Sequence, residues 1–87
     1  MSTPANVQRG VAYLDERLPG WRTAINADAL ALEACDACIL GQLFTDYTIG
    51  QNVLGLSHRD SRALGFTTAP RQTWAGLTNA WKRVLAR

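Results

Sequence analysis

The sequence predicts an all-α protein: a compact single-domain array of four to five helices around a central buried helix at about residues 36–47. Apolar residues recur at helical spacing in several segments, and hydroxyl, proline and glycine residues stand where helices would begin and end. No segment combines β-branched alternation with a hairpin turn signal, so a sheet is not expected. A chain of 87 residues is too short to divide between two cores, and we predict one domain over residues 1–87.

The central helix is predicted from the segment CDACILGQLFTDY, residues 35–47. Between Ala37 and Phe44 only Gln42 is polar, and a helix that is apolar on almost every side lies in the middle of a fold or in a membrane. The run is too short to cross a bilayer, which needs about 20 apolar residues. The i, i+3, i+4, i+7 spacing is met by Leu40, Leu43, Phe44 and Tyr47.

Two helices are predicted before this segment. Thr3 followed by Pro4 is typical of an N-cap with proline at the first helical position, and Pro19 and Gly20 end that first helix. A short second helix is expected at Trp21. The stripe of the first helix consists of Val7, Val11, Leu14 and Leu18.

The C-terminal part is also predicted to be helical. A short helix ends at Gly55, and Ser57 with Asp60 has the spacing of a capping box for a helix over 58–64. Thr68 and Pro70 are expected to open the last helix. Its apolar stripe consists of Trp74, Leu77, Trp81, Val84 and Leu85.

The net charge of +2 is unevenly distributed. Residues 1–56 contain three Lys/Arg and six acidic residues, whereas residues 57–87 contain six Lys/Arg and one acidic residue. Such a basic region can contact nucleic acid or complement an acidic part of the same molecule. The basic residues are scattered rather than clustered, which favours the second interpretation.

The cellular compartment of the protein is predicted from its N-terminal sequence and its cysteines. The start MSTPANVQRG has no basic region followed by an apolar stretch, so no secretory signal and no membrane partner are expected. Two cysteines do not make a secreted disulfide framework. We predict a cytoplasmic protein with reduced thiols.

Cys35 and Cys38 have C-x-x-C spacing, which three kinds of site share. A structural zinc site needs four ligands, and His58 is the only histidine. A thioredoxin-like redox site is expected in a βαβ context, which is missing. Cysteine often packs as a small buried apolar residue, so we predict two structural thiols and no cofactor or metal. A cysteine-dependent metal or redox protein remains an alternative.

A catalytic set is not evident. Any nucleophilic site would have to be built around His58, whose neighbour Ser57 is predicted to cap a helix. Asp15 and Glu16 are adjacent and would point in different directions on a helix. With no glycine-rich phosphate loop present either, we predict that the protein is not an enzyme.

The segment IGQNVLGLSHRDSRALGF, residues 49–66, also fits a helix-turn-helix. Its second helix would present polar side chains suited to phosphate and base-edge contacts. These candidate DNA contacts are His58, Arg59, Ser61 and Arg62. A small helix-turn-helix-like DNA-binding regulator is therefore an alternative function.

The chain resembles a family of small proteins from actinobacteria and their phages. The resemblance rests on several short motifs spread over most of the chain. They are Leu14-Asp15-Glu16, Pro19-Gly20-Trp21, Cys35 and Cys38, Leu40 to Phe44, Asp46-Tyr47, Leu54-Gly55-Leu56 and the helix around Trp81. The resemblance implies a phage or prophage origin and assigns no catalytic residues.

Docking onto another protein needs no special chemistry and becomes the leading hypothesis for a small domain of this kind. We expect binding to a host or phage protein, with a homo-oligomer possible and nucleic acid less favoured. Tyrosine, tryptophan and arginine dominate interface energetics. The candidate interaction residues are Tyr13, Trp21, Arg59 and Arg62.

Overall fold

The computed structural model describes residues 3–86, which form six α-helices and one 3-10 turn and contain no strand. The predicted all-α fold class is confirmed. Counting a helix of one turn, α2, gives six helices rather than the predicted four to five. The elements are α1 (Ala5–Arg17), α2 (Trp21–Ala24), the 3-10 turn (Ala27–Ala29), α3 (Ile39–Phe44), α4 (Tyr47–Leu54), α5 (His58–Ala63) and α6 (Trp74–Leu85).

The central buried helix is α3, and its bounds are narrower than the predicted 36–47. Thr45 has a φ of 81°, a left-handed conformation through which a helix does not continue. Asp46 then caps α4, because its carboxylate accepts a hydrogen bond from the Thr48 backbone N–H at 2.8 Å. The segment is therefore two short helices joined by a tight bend.

The start of α3 also differs from the prediction. Ala34 accepts backbone hydrogen bonds from Ala37 at 3.2 Å and from Cys38 at 3.0 Å, which closes a separate turn over residues 34–38. Cys38 is the N-cap of α3. The prediction of one continuous helix through both cysteines is therefore wrong. Cys35 lies in the turn, and Cys38 lies at the cap of α3.

Gln42 explains how a polar side chain is accommodated in this apolar segment. Its Oε1 accepts from the Asn26 backbone N–H at 2.6 Å, and its Nε2 donates to the carbonyls of Asn26 and Ala37, each at 3.1 Å. The amide thereby ties α3 to the turn before it and to the loop after α2. Its hydrogen-bonding capacity is used within the fold.

The last helix begins later than predicted. Thr73, and not Thr68, is the N-cap of α6, and its hydroxyl accepts from the Gly76 backbone N–H at 3.0 Å. Arg71 has a φ of 71°, so the preceding segment cannot be helical. Trp74 therefore stands in the first turn and is exposed, outside the buried stripe to which it was assigned. Arg87 lies outside the described residues.

Trp81 lies at the centre of the core. Its ring stacks on Phe66 at 5.9 Å between centroids and meets Trp21 edge-on at 5.9 Å. Its indole Nε1 donates to the Gly65 carbonyl at 2.7 Å, so the one polar atom of the side chain is satisfied inside the protein. One residue of α6 thus joins the start of α2 to the loop that follows α5.

Gly10 allows α1 to pack against this centre. A methyl group at Gly10 would overlap the Leu64 carbonyl oxygen and lie 3.0 Å from the Trp81 ring. The glycine is required by this close approach, and α1 contacts both α5 and α6. Within residues 3–86, no helix has both the length and the apolar character that a membrane span requires.

We expect Gly10→Ala to lower the free energy of unfolding by about 1–3 kcal/mol, because the added methyl overpacks the contact with Leu64 and Trp81. Ala12 is exposed on the same helix, and Ala12→Gly should cost about 1 kcal/mol through helix propensity alone. Helix propensity alone predicts that Gly10→Ala raises the free energy of unfolding and that Ala12→Gly lowers it. Urea unfolding should instead show both variants destabilised, and a more stable Gly10→Ala protein would contradict the close approach of α1.

Candidate functional site

The position of α4 is set by a glycine contact with α3. A Cβ atom at Gly50 would lie 2.9 Å from the Cβ of Leu40 and 3.0 Å from the ring of Phe44, so a larger residue would push the helices apart. Because Gly50 faces α3, the helical period directs residues 48, 49, 52 and 53 towards solvent. We call these four residues the α4 face.

The α4 face is uncharged and partly apolar. It consists of Thr48, Ile49, Asn52 and Val53; the exposed fraction is 49% for Ile49 and 64% for Val53. No Asp, Glu, Lys or Arg occurs between Asp46 and Arg59. Single exposed apolar side chains are common, whereas these two lie one helical turn apart on a face without charge and form a small apolar patch that a partner can cover.

A short turn leads from α4 to α5. Gly55 ends α4 with a φ of 69°, a conformation that glycine adopts without strain. Ser57 Oγ accepts from the Asp60 backbone N–H, and the Asp60 carboxylate accepts from the Ser57 backbone N–H, both at 3.0 Å. This is the predicted capping box. The order and turn length match a helix-turn-helix, in which the second helix reads the major groove.

The candidate DNA contacts of α5 divide into two groups. His58, Arg59 and Arg62 are exposed, as direct contact with DNA requires. Ser61 is fully buried, and its Oγ accepts a hydrogen bond from Gln51 Nε2 at 3.0 Å. The assignment of Ser61 as a DNA contact is therefore wrong, because its hydroxyl instead joins α5 to α4.

Asp60 adds a negative charge beside these basic side chains. The hydrogen bonds that it accepts from the backbone and the hydroxyl of Ser57 hold the pKa of its carboxyl below the usual range, and the Arg59 charge lowers it further. The side chain is fully exposed. The exposed part of α5 therefore combines cations with a carboxylate that stays ionised at neutral pH.

Tyr13 and Trp21, the aromatic candidates for protein contact, are largely covered. Tyr13 is half-buried, with its ring edge-on to Phe66 at 6.4 Å and the Arg17 guanidinium 5.3 Å from its centroid. Trp21 is buried, and its Nε1 donates to Asp15 Oδ1 at 2.8 Å. The prediction that Trp21 anchors a partner is wrong, because its ring belongs to the core.

Cys38 has the structural role expected of a buried thiol. It is only 1% exposed, and its Sγ accepts from the Gly41 backbone N–H at 3.2 Å as the N-cap of α3. Burial raises the pKa of the Cys38 thiol, while the hydrogen bonds from Gly41 and Leu40 oppose that shift in part. Cys38 is therefore a neutral thiol at pH 7.

Cys35 differs from Cys38 in being exposed. Its backbone carbonyl accepts from the Tyr47 N–H at 2.8 Å, which fixes the turn to the start of α4. A Cβ at Gly41 would collide with the same carbonyl. The prediction of two structural thiols is therefore incorrect for the side chain of Cys35, which takes no part in the core.

A small cavity of about 80 Å³ opens beside the two cysteines. Tyr47 is one of the lining residues, and its hydroxyl oxygen is buried. Burial raises the pKa of the Tyr47 phenol, and the Ser61 hydroxyl opposes this shift in part. The lining residues are Leu32, Glu33, Ala34, Cys35, Cys38, Tyr47, Phe66, Thr67 and Trp74.

Within the described part of the chain, no three His, Cys, Asp or Glu side chains are grouped so that they could hold a metal ion. Comparisons of the chain with protein-family models, with curated proteins and with solved structures find no match. The α4 face, α5 and the two thiols are the features of the described residues whose geometry and chemistry bear on function.

Sequence reasoning missed Ile49 and Val53 as surface residues. They are four positions apart, the same spacing as in an apolar stripe that packs on the core. No local signal in the sequence distinguishes such a buried stripe from an exposed pair. The one indication was Gly50, since a glycine inside a helix often marks a close approach of two helices. Trp74 was missed because its exposure depends on where α6 begins.

We expect an alkylating reagent to modify Cys35 in the folded protein while Cys38 reacts only after unfolding. Thiolate formation and access control the reactivity of a thiol, and Cys38 lacks both. Intact-mass analysis during iodoacetamide treatment at pH 8 should show one adduct under native conditions and two in urea. Cys35→Ser should remain unmodified until it is unfolded. Equal rates at both cysteines in the native state would contradict the burial of Cys38.

Proposed function

We propose that the protein is a non-enzymatic interaction module that binds another protein through the α4 face. The observation that carries this proposal is the exposure of Ile49 and Val53 on a helix face without charge. Covering each side chain contributes about 1.5–3 kcal/mol at full burial. Thr48 and Asn52, on the same face, supply hydrogen-bonding groups for orientation.

The size of the face limits the kind of contact. α4 has 8 residues, which corresponds to a length of about 12 Å. Such a face is small beside the roughly 800 Å² per partner that stable interfaces bury. We therefore favour a transient contact with an apolar surface of a larger protein over an obligate assembly, and two copies meeting through α4 alone would associate weakly.

The family resemblance supports a partner from a bacterial host or from a phage, met in the cytoplasm. Arg59 is exposed in α5, the helix that follows α4 in the chain, so it is available for a charged contact with a partner. Among the predicted interaction residues, Arg59 and Arg62 have the free side chains that such a contact needs. No catalytic role is assigned to any residue in this proposal.

The role of the α4 face in binding can be tested by replacing its two apolar side chains with charged ones. We expect the double variant Ile49→Lys, Val53→Lys to lose at least about 90% of partner binding, equivalent to about 1.4 kcal/mol or more. Both positions are exposed, so the free energy of unfolding should change by no more than about 0.5 kcal/mol. Tagged protein would be used to capture partners from an actinobacterial lysate, and the affinity of a purified partner would then be measured by calorimetry.

The double variant Ala5→Lys, Ala12→Lys is the matched control, because it places the same two charges on exposed helical positions of α1. It should retain the same partners as the unmodified protein. If the double variant captures them equally well, the α4 face is not the docking surface. Sedimentation of the free protein over a range of concentrations reports whether a second copy is the partner.

DNA binding is the second candidate, and a specific observation favours it. α4, the turn at Gly55 and the capped start of α5 follow one another as in a helix-turn-helix. Three basic or titratable side chains of α5 face solvent there. They are His58, Arg59 and Arg62.

The α4 face argues against this candidate. The first helix of a helix-turn-helix crosses the phosphate backbone, and here its exposed side carries Ile49 and Val53 without a lysine or arginine. Asp60 is an exposed carboxylate on the second helix. A helix of 6 residues also offers few positions for base contacts.

We expect duplex DNA to be bound only non-specifically, with a Kd of about 10⁻⁴ to 10⁻⁶ M that weakens with added salt. The measurement is a selection from random duplexes followed by gel shifts with Arg59→Ala and Arg62→Ala. Arg17→Ala, an exposed arginine of α1, is the control. Enrichment of one sequence with a Kd near 10⁻⁸ M, lost in the two α5 variants and kept in the control, would favour the DNA-binding candidate instead.

A further inference from the structure

Cys35 and Cys38 are three positions apart in the chain, a spacing at which two cysteines can form a disulfide. The hydrogen bonds from Ala37 and Cys38 to the Ala34 carbonyl close a turn over residues 34–38. Cys38 Sγ lies 3.8 Å from the Cys35 carbonyl oxygen, so the Cys38 thiol is already beside the backbone of Cys35. A disulfide spans about 4.4–6.8 Å between Cα atoms, a separation that two residues of one tight turn can meet.

The two thiols differ in solvent access, as the attacking and the resolving thiol of a two-step thiol–disulfide exchange do. Cys35 is exposed and can meet a reagent from solution, whereas Cys38 is buried at the cap of α3. Both line the same small cavity, whose other walls include Leu32, Phe66 and Trp74. The two thiols therefore border one small space, and Cys35 is also exposed to solution.

We propose that Cys35 and Cys38 are a reversible dithiol that is oxidised by small-molecule disulfides, with Cys35 as the attacking thiol and Cys38 as the resolving thiol. The site takes a low-molecular-weight disulfide of the glutathione class as its oxidant. This activity is independent of the docking proposed for the α4 face.

The reaction balances in two exchanges. The Cys35 thiol loses its proton and attacks one sulfur of the small disulfide; that S–S bond breaks, and one small thiolate leaves and takes up a proton. The Cys38 thiol then loses its proton and attacks Cys35 Sγ, which releases the second small thiol. Two protein thiols become one disulfide, and one small disulfide becomes two small thiols.

Forming the disulfide removes the cap of α3. Cys38 Sγ now accepts from the Gly41 N–H, and moving it towards Cys35 breaks that contact. Losing an N-cap interaction destabilises the helix, which favours the reduced protein. The disulfide is therefore expected to be readily reversed by a dithiol reductant, as strained disulfides are.

The burial of Cys38 predicts a distinct pH signature. Because its raised pKa keeps Cys38 protonated near pH 7, the second exchange is slow and the mixed disulfide on Cys35 accumulates. The rate of the second exchange should rise by about tenfold per pH unit between pH 7 and 9, in proportion to the thiolate fraction. The titratable groups around the site are Glu33, Cys35 and Tyr47 of the cavity and Asp36 of the turn.

The test is a time course with glutathione disulfide, followed by intact-mass analysis and peptide mapping without reductant. The unmodified protein should pass through a single glutathione adduct on Cys35 and finish two hydrogens lighter, with the disulfide inside one peptide. Cys38→Ser should stop at the adduct, since serine also caps helices and keeps the fold. Cys35→Ser should stay unmodified while folded.

Three results would overturn the proposal. They are an adduct on Cys35 that never resolves between pH 7 and 9, equal modification of Cys35→Ser and Cys38→Ser, and a disulfide-linked pair of chains in place of the internal bond. If Cys38→Ser is unfolded by circular dichroism, the time course of the unmodified protein decides the question alone. Adding dithiothreitol should restore the starting mass, and failure to do so would show that the product is not a disulfide.

Discussion

The arrangement of the helices depends on the environment of the Trp81 indole. Its ring is covered by Phe66 and Trp21, and its N–H is satisfied by the Gly65 carbonyl at 2.7 Å. Removing a buried tryptophan side chain costs about 3–5 kcal/mol, a large share of the stability of a small domain. Gly10 is glycine because this ring and the end of α5 leave no room for a side chain.

Features governed by neighbours in the chain were predictable from the sequence. The capping box of Ser57 and Asp60 was predicted, because it depends on residues only three positions apart. The bend at Thr45 was not, because threonine rarely adopts a positive φ and only the packing of α4 on α3 requires it there. The buried Ser61 and the exposed Val53 were likewise missed, since both depend on how α4 faces its neighbours.

The cysteine turn, residues 34–38, and the α4 face are connected through hydrogen bonds and packing contacts. The Cys35 carbonyl accepts from the Tyr47 N–H, so the cysteine turn is attached to the first residue of α4. α3 lies between them, capped by Cys38 and packed on Gly50 through Leu40. A change in the turn therefore has a short path to the helix that carries Ile49 and Val53.

The pairing of α1 with α6 has a consequence for synthesis on the ribosome. Val7 and Leu14 of α1 are fully buried in the finished fold, but α5 and α6, which contact α1, are made about 45–70 residues later. At about 5–20 residues per second, the apolar side of α1 stays uncovered for several seconds. A helix of 13 residues is only marginally stable by itself in water, so α1 depends for its own stability on the part of the chain that is made last.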